Sequence, residues 1–582
     1  AMPQDAHHNA SETEFSTAYY FLEGLNEIGI EYLFSNLGTD HAPIIEEMAR
    51  MKNLGMPLPK VILCPHENTA AHMAGGYAFM TGRGQGVLVH VDVGTANTSN
   101  GMHNLYRTRL PVLLMAGKAP YSTGDALIGS RDTYVHFVQE PFDQASLVRP
   151  YLKWEWTLPS GVVVKEALRR AHSIMHSEPA GPVYLMMQRE TLTQRWHAGK
   201  VRSFDGAQYG ATSSGQADPD LINQLAVRLI DAAHPVLVTA YAGRNPRTVR
   251  AIAELSELAG IAIVESNSSS NIPNTLPCFV GYMADRDVPK ADVGLLVDID
   301  VPWFPTDVKP RADSFWAHMD IDVLKIASPM WSFPGNLRMQ GDSGRMLSQL
   351  IDAIKQKSTP AFRDKAAARL ARVKAEHAAF LERAAKMATD KGRPGEINPH
   401  YLMAELNKVL DANDVVFNEG VRNAGAAAMQ VCRPVANTMM RAAGGGLGWS
   451  GGFALGAKLA APHQMMVQVV GDGGFYFGNP SATFAASRHY NLPIFMLVMD
   501  NSGWGAVKAA TARVFPKGEA VATGEFQAHL LPDADFTKVG EAFGAHGESV
   551  SNPDDISAAL ARCVAAVRGG RSAILHARVT KI

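Results

Sequence analysis

The sequence is short of several things, and each shortage narrows its class. Only 4 of its 582 residues are cysteine (Cys64, Cys278, Cys432 and Cys563), far apart and in no zinc-ligand spacing. That argues against a disulfide-stapled secreted module and predicts buried thiols in a reducing compartment. No run of about eighteen apolar residues occurs, so no transmembrane helix and no membrane partner are expected. An excess of charge of one sign is missing too. The 54 Lys and Arg residues against 56 Asp and Glu leave a formal net charge of −2, which offers no footprint for nucleic acid or anionic lipid. The polar stretch Ala1 to Glu14 lacks an apolar core and is not expected to be a signal peptide. The expected address is the cytoplasm.

What is present is an ordinary soluble composition, 46% hydrophobic and 19% charged, in a chain too long for one core. Apolar runs of strand length alternate with helix-compatible segments, which predicts an α/β fold of doubly wound, mainly parallel sheets flanked by helices. In the first domain, residues 15–190, the pattern predicts a helix over Phe15 to Gly29 and another over Thr69 to Met80. Strands are expected at Tyr32–Phe34, Lys60–Cys64, Gly86–Val91, Leu110–Gly117 and Pro182–Met187. A Gly/Ser/Ala-rich linker over Arg202 to Asp218 leads to a central domain, residues 218–355, with strands at Pro235–Thr239, Ile261–Val264 and Val293–Val297. Residues 356–396 read as a solvent-facing connecting helix. A third α/β domain spans residues 397–582.

Two stretches of that third domain carry chemistry. The apolar run Val467–Val470 ends in Gly471-Asp472-Gly473-Gly474, and the run Ile494–Met499 ends in Asp500-Asn501-Ser502-Gly503. If these strands are parallel neighbours, Asp472 and Asn501 emerge side by side at their carboxyl ends, where open sheets bind ligands. A carboxylate, an amide oxygen and backbone carbonyls suit Mg²⁺, and glycines let backbone N–H groups approach phosphate. With 27 residues between Gly473 and Asn501, the chain resembles the thiamine-diphosphate (ThDP) enzymes, in the acetolactate-synthase-like and benzoylformate-decarboxylase-like branch.

That resemblance implies three domains (pyrimidine-binding, central and diphosphate-binding) and a set of roles. Asp472, Asn501 and the carbonyl of Gly503 would hold Mg²⁺ on the cofactor's diphosphate. Gly420 and Val421, in Asn418-Glu419-Gly420-Val421-Arg422, and Gly471, Gly473 and Gly474 would meet the phosphates. Leu447, after Gly446, would bend the cofactor into its working shape. Glu67, in Pro65-His66-Glu67-Asn68-Thr69, would hydrogen-bond the aminopyrimidine and activate the thiazolium. His90 is the candidate acid/base, and Asn97, in Gly94-Thr95-Ala96-Asn97, lies on a cofactor loop. Gly38, Thr39, His41, Asp92 and Trp504 are candidate pocket residues, and relatives commonly carry Pro where Leu37 stands. The implied activity is a C–C bond lyase or decarboxylase with carboligase capability, acting on a small 2-oxo acid and an aldehyde. The alternative is a 2-hydroxyacyl-CoA lyase or an oxalyl-CoA-decarboxylase-like enzyme. FAD on the central domain is left open but not favoured. A homodimer or homotetramer with the site between subunits is implied. Glu67, Asp472, Asn501 and Leu447 together argue against a catalytically silent paralogue.

Overall fold

Three six-stranded parallel sheets organise the computed structural model, which describes residues 13–582. The polar amino-terminal residues 1–12 lie outside the described residues. The first sheet is built from β1 (Tyr32–Asn36), β2 (Lys60–Leu63), β3 (Gln85–Val89), β4 (Val112–Lys118), β5 (Trp154–Thr157) and β6 (Pro182–Gln188), in the order β2-β1-β3-β4-β6-β5. Helix α1 (Glu67–Thr81) joins β2 to β3, and α2 (Ser99–Thr108) precedes β4. The expected first helix is shorter than the pattern suggests. It runs over Thr17–Glu27, because Glu14–Ser16 is instead a strand paired antiparallel with Arg195–His197.

The central sheet comprises β7 (Pro235–Thr239), β8 (Ala262–Glu265), β9 (Phe279–Gly281), β10 (Val293–Val297), β11 (Phe315–Asp320) and β12 (Leu337–Gln340), ordered β9-β8-β7-β10-β11-β12. Strands β7 and β10 are buried along their whole length, as expected of a parallel sheet covered on both faces. Beyond the helix Ser343–Lys357, the long helix α3 (Pro360–Met387) starts where the Thr359 hydroxyl accepts the Phe362 N–H and Pro360 supplies a first-turn φ. Most of it faces solvent, as its composition suggests, but one stripe is buried. Phe362, Ala366, Val373 and Phe380 pack into the central core, and the buried Arg369 donates to the carbonyls of Leu229 and Ala232.

The third sheet holds β13 (Val415–Glu419), β14 (Met439–Met440), β15 (Met466–Gly471), β16 (Phe495–Asp500), β17 (His546–Val550) and β18 (Ala573–Arg578), in the order β14-β13-β15-β16-β18-β17. Helices α4 (Ser450–Ala460), α5 (Asp472–Phe477) and α6 (Pro480–His489) fall among them. The chain divides into two compact units. One holds the described residues up to Ser213 with Gly444–His463 and Phe477–Leu492; the other holds Ser214–Ala443, Gln464–Tyr476 and Pro493–Ile582. Within the former, the small residues of α1 do what their size allows. A Cβ on Gly76 would come 2.0 Å from the Phe453 carbonyl of α4, and one on Gly456 would come 1.8 Å from that of Met73. The two helices therefore touch backbone to backbone. Among the described residues no helix is long and apolar enough to cross a membrane.

Candidate active site

In the first sheet the winding reverses between β1 and β3, so the loops after Asn36 and Val89 face each other across the switch point. The loop after β1 carries Gly38, Thr39, Asp40 and His41; the loop after β3 carries His90 and Asp92. The fully buried Asp40 bridges them. Its Oδ1 is hydrogen-bonded to His90 Nδ1, and its Oδ2 accepts the Val91 N–H at 3.2 Å and lies 3.2 Å from His41 Nε2. Glycines make room for the pair: a Cβ on Gly38 would fall 1.9 Å from His90 Nδ1, and one on Gly117 would fall 1.8 Å from Asp40 Oδ2. The Asp40 hydrogen bond raises the His90 pKa above the ordinary histidine value against the effect of burial, and the charge of Glu67 adds to the rise. Burial opposes ionisation of Asp40, yet His41 and His90 together hold its carboxyl below the usual range. Both shifts favour the ionised forms of the pair, a buried carboxyl bonded to a half-buried imidazole.

The other predicted residues of this sheet end are distributed as follows. Glu67 is the first residue of α1, behind His66, whose Nδ1 accepts the Asn68 N–H. Asn97 Nδ2 donates to Glu67 Oε2 at 3.0 Å, so the two are brought together. Thr39 Oγ1 lies 3.0 Å from His136 Nε2. His41 is turned inward, 1% exposed, with its Nδ1 accepting the Gly38 N–H at 3.0 Å, so it props the loop. Asp92 sits at φ 48° and makes no side-chain capping bond. The segment around Leu447 is tied to α2. Asn100 Nδ2 donates to the Leu447 carbonyl at 3.0 Å, and Asn104 exchanges bonds with both the N–H and C=O of Gly446 at 3.1 and 2.9 Å.

The third sheet reverses its winding between β13 and β15, and the glycine-rich sequences lie there. A Cβ on Gly471 would meet only the Gly420 carbonyl, at 3.9 Å, so the strand ends flank open space. Val421 follows at φ 50°, an unusual conformation for a β-branched side chain, found where function demands it. Strands β15 and β16 are parallel neighbours, with Gly471 level with Met499, so Asp472 and Asn501 do emerge together. Asp472 opens the short helix α5 directly rather than sitting in a free turn. It is 2% exposed, and its Oδ1 has no hydrogen-bond partner. Burial, then the charge of Asp500, pushes its carboxyl above the usual carboxylate range. Asn501 is buried as well, its Oδ1 accepting the Gly503 N–H at 3.3 Å. Trp504 covers Gly473, where a Cβ would lie 2.4 Å from its indole nitrogen.

An orphaned carboxylate oxygen and a buried amide oxygen beside a second acid form a donor set that fits a hard divalent cation. The open space between Gly420 and Gly471 is lined by backbone rather than side chains. Sequence reasoning missed Asp500, whose Oδ2 lies 2.7 Å from His576 Nε2 while its Oδ1 accepts the Ser502 N–H. It also missed Asp40. The available signal was an acid at or shortly beyond a strand's carboxyl end: Asp500 closes β16, and Asp40 lies four residues after β1.

Comparison with known proteins agrees with this arrangement. Residues 15–147 match the family model "Thiamine pyrophosphate enzyme, N-terminal TPP binding domain", and residues 423–577 match "Thiamine pyrophosphate enzyme, C-terminal TPP binding domain". Among similar proteins, benzoylformate decarboxylase of Pseudomonas aeruginosa is 23% identical over 581 residues, covering 96% of this chain and 97% of that protein. Acetolactate synthase of Bacillus subtilis is 23% identical over 86% of this chain and 84% of its own length. Mouse 2-hydroxyacyl-CoA lyase 1 is 22% identical over 94% and 92%. The solved structure of the Rhodococcus jostii RHA1 thiamine diphosphate-dependent 4-hydroxybenzoylformate decarboxylase superposes with a TM-score of 0.74 at 20% identity, covering 98% of this chain and 99% of that one. With thiamine-pyrophosphate-binding domains at both ends of three doubly wound sheets, the chain belongs to the thiamine-diphosphate-dependent enzymes.

Proposed function

We propose that the protein is a ThDP- and Mg²⁺-dependent lyase that decarboxylates a small 2-oxo acid and can pass the resulting acyl unit to an aldehyde. The observation that carries this reading is the Asp40–His90 pair. It sets a proton donor at the sheet end shared with Glu67, and the charge of Glu67 reaches it. Bound ThDP would supply the carbon nucleophile and the electron sink for loss of CO₂. The chain's own residues do the rest. Asp472, Asn501 and the Gly503 carbonyl would hold Mg²⁺, and Gly420, Gly471, Gly473 and Gly474 would admit the diphosphate. Leu447 would support the cofactor's bend, and Glu67, steadied by Asn97, would share a proton with the pyrimidine. His90 would deliver the proton that replaces CO₂ from a position fixed by Asp40. Thr39, whose hydroxyl lies 3.0 Å from His136 Nε2, and Trp504 are proposed to shape the substrate's side-chain pocket.

From the membership of the thiamine-diphosphate-dependent enzymes we infer a homo-oligomer in which two copies complete a site. FAD on the central domain is not favoured: at the ends of β10 and β11 the buried Asp298, Asp320 and Lys325 fill the space, and Lys325 Nζ is held by Asp320 and Asp300 rather than offered to a dinucleotide's phosphates. The similar decarboxylases named for benzoylformate and 4-hydroxybenzoylformate direct the first assays to aryl 2-oxo acids. A panel of aliphatic and aryl 2-oxo acids with added ThDP and Mg²⁺ should release CO₂ and aldehyde in equal amounts for at least one acid. CO₂-free mixtures across the panel, without carboligation products, would remove the proposal.

A further inference from the structure

Away from the crevices of the sheets, three side chains with metal-ligating atoms meet on the edge strand of the third sheet. His546 and Glu548 stand two residues apart on β17 and so share one face of it. Cys563 reaches that face from the helix Ile556–Arg568, which joins β17 to β18. His546 Nε2 lies 2.7 Å from Glu548 Oε2, Cys563 Sγ lies 3.9 Å from the same oxygen, and the three donor atoms all fall within 4.8 Å of one another. The thiol is buried, whereas His546 and Glu548 keep 26% and 18% of their side chains exposed. Arg562, one residue before the cysteine, grips Glu548 Oε1 through Nη2 at 2.7 Å and Nε at 3.0 Å, and touches Oε2 at 3.2 Å. His546 opens β17, while Asp472 and Asn501 follow the carboxyl ends of β15 and β16, so the cluster starts at the other end of the parallel sheet.

An ion pair accounts for Arg562, Glu548 and His546, but not for the thiol, which is only a weak hydrogen-bond donor. Burial first, then the charge of Glu548, pushes the Cys563 thiol up to about 12. The chain alone therefore keeps it protonated, and a cation among the three donors would expel that proton to solvent. Thiolate, imidazole and carboxylate together suit Zn²⁺ and similar divalent ions rather than Mg²⁺, which takes oxygen. Tetrahedral Zn²⁺ sets such donors ~3.3–3.6 Å apart, which asks the His546–Glu548 contact to open by less than ~1 Å and the thiol to close slightly. Arg562 already fixes the outer carboxylate oxygen, as groups behind a metal ligand do, and the exposed side of His546 and Glu548 leaves a fourth position to water. We propose that His546, Glu548 and Cys563 form a site for a divalent transition-metal ion, Zn²⁺ above all, with Arg562 orienting the carboxylate. The ion would pin the helix Ile556–Arg568 to the edge strand. The spacing of the cysteines gives no sign of it, because two of its three ligands are not cysteine. The site shares no residue with the ThDP and Mg²⁺ reading and stands or falls without it.

The test is absorption spectroscopy on the full-length, ThDP- and Mg²⁺-loaded protein titrated with Co²⁺ and then with Zn²⁺. Co²⁺ should produce the near-ultraviolet charge-transfer band of a Co²⁺–thiolate bond, insensitive to excess Mg²⁺ and bleached by Zn²⁺. Cys563→Ser should abolish the band, whereas Cys432→Ser, which removes the exposed thiol, should leave it intact. His546→Gln and Arg562→Gln should each weaken Zn²⁺ binding ~10- to 100-fold without changing turnover. Both alter partly exposed side chains, so they carry the test even where Cys563→Ser does not fold. A band that is absent, that survives Cys563→Ser, that vanishes in Cys432→Ser or that Mg²⁺ competes away would overturn the proposal. So would Zn²⁺ binding that is unchanged in both His546→Gln and Arg562→Gln.

Discussion

In the first sheet the crevice at the switch point is spanned by side chains, Asp40 reaching from the loop after β1 to His90 after β3. In the central sheet the equivalent ends are joined by main chain: the Asp298 carbonyl after β10 accepts the N–H groups of both Ala240 and Tyr241 after β7. The side chains differ in the same sense. His90 keeps 17% of its side chain exposed, whereas Asp320, His318 and Lys325 are 0–3% exposed, with Asp320 bonded to the other two and Lys325 Nζ lying 2.9 Å from Asp320 and 3.0 Å from Asp300. Topology alone therefore does not make a site. A strand end becomes reactive when its backbone is left open and its charge faces solvent, and becomes structural when both are consumed internally. The first and third sheets share one strand order, the central sheet has another, and only the former two leave their crevices open.

The comparison breaks most visibly if Glu67 is silent. Glu67→Gln keeps the size and the contact to Asn97 but not the acid. Turnover should fall ~10²- to 10⁴-fold with an unchanged melting temperature, read by CO₂ release beside thermal unfolding. Activity at the wild-type level would place the proton chemistry elsewhere. The central end should behave in the opposite way. Lys325→Met leaves Asp320 and Asp300 without their cation, and loss of one partner of a buried pair costs about 3–5 kcal/mol. Denaturant unfolding should register that loss while turnover per folded molecule holds. A variant that stays stable but loses turnover would move the central crevice into the catalytic machinery.

How much of this was legible beforehand depends on the distance over which each feature is decided. The Gly471-Asp472-Gly473 and Asn501 pair could be read because a strand, its end and its spacing are local, and the parallel register of β15 and β16 then follows. The Asp40–His90 contact could not, because 50 residues of chain separate its partners and only the adjacency of β1 and β3 joins them. Strand β5 was missed because its four residues are half-buried and show no apolar run. The buried side of helix α3 was missed because Ala, Arg, Glu and Lys dominate its composition. The stripe of Phe362, Ala366, Arg369, Val373, Phe380 and Ala384 that it buries is visible only at helical spacing.

A smaller effect should separate the two buried acids by pH. In Asp40→Asn, His90 loses the bond that raises its pKa. The alkaline limb of the rate profile should then move to lower pH, with kcat/KM down ~10-fold. Stability carries the matching sign. The raised His90 contributes fully below its unfolded pKa of about 6.5 and loses that contribution as pH rises through its folded value. Asp40 loses its contribution as pH falls through its lowered value. The stability gap between wild type and Asp40→Asn should therefore peak at weakly acidic pH. A gap that does not vary with pH would mean that the pair is not ionised.

Asp298 should give the smallest change and the reverse sign. Burial first, then Asp320, raises its carboxyl above the ordinary range, and the Ser343 hydroxyl donates to it at 2.7 Å. A raised acid lets the folded state hold a proton the unfolded chain has released, so its ionisation weakens the fold as pH climbs from the unfolded value through the folded one. Asn keeps an acceptor for Ser343 and carries no charge. Asp298→Asn should thus be more stable than wild type at pH 8, by on the order of 1 kcal/mol, and indistinguishable near pH 4. Loss of stability at pH 8 would show that Arg244 and Lys325 keep Asp298 ionised. The closed central end would then be held by charge pairing rather than by a shared proton, and its contrast with the Asp40–His90 end would reduce to exposure alone.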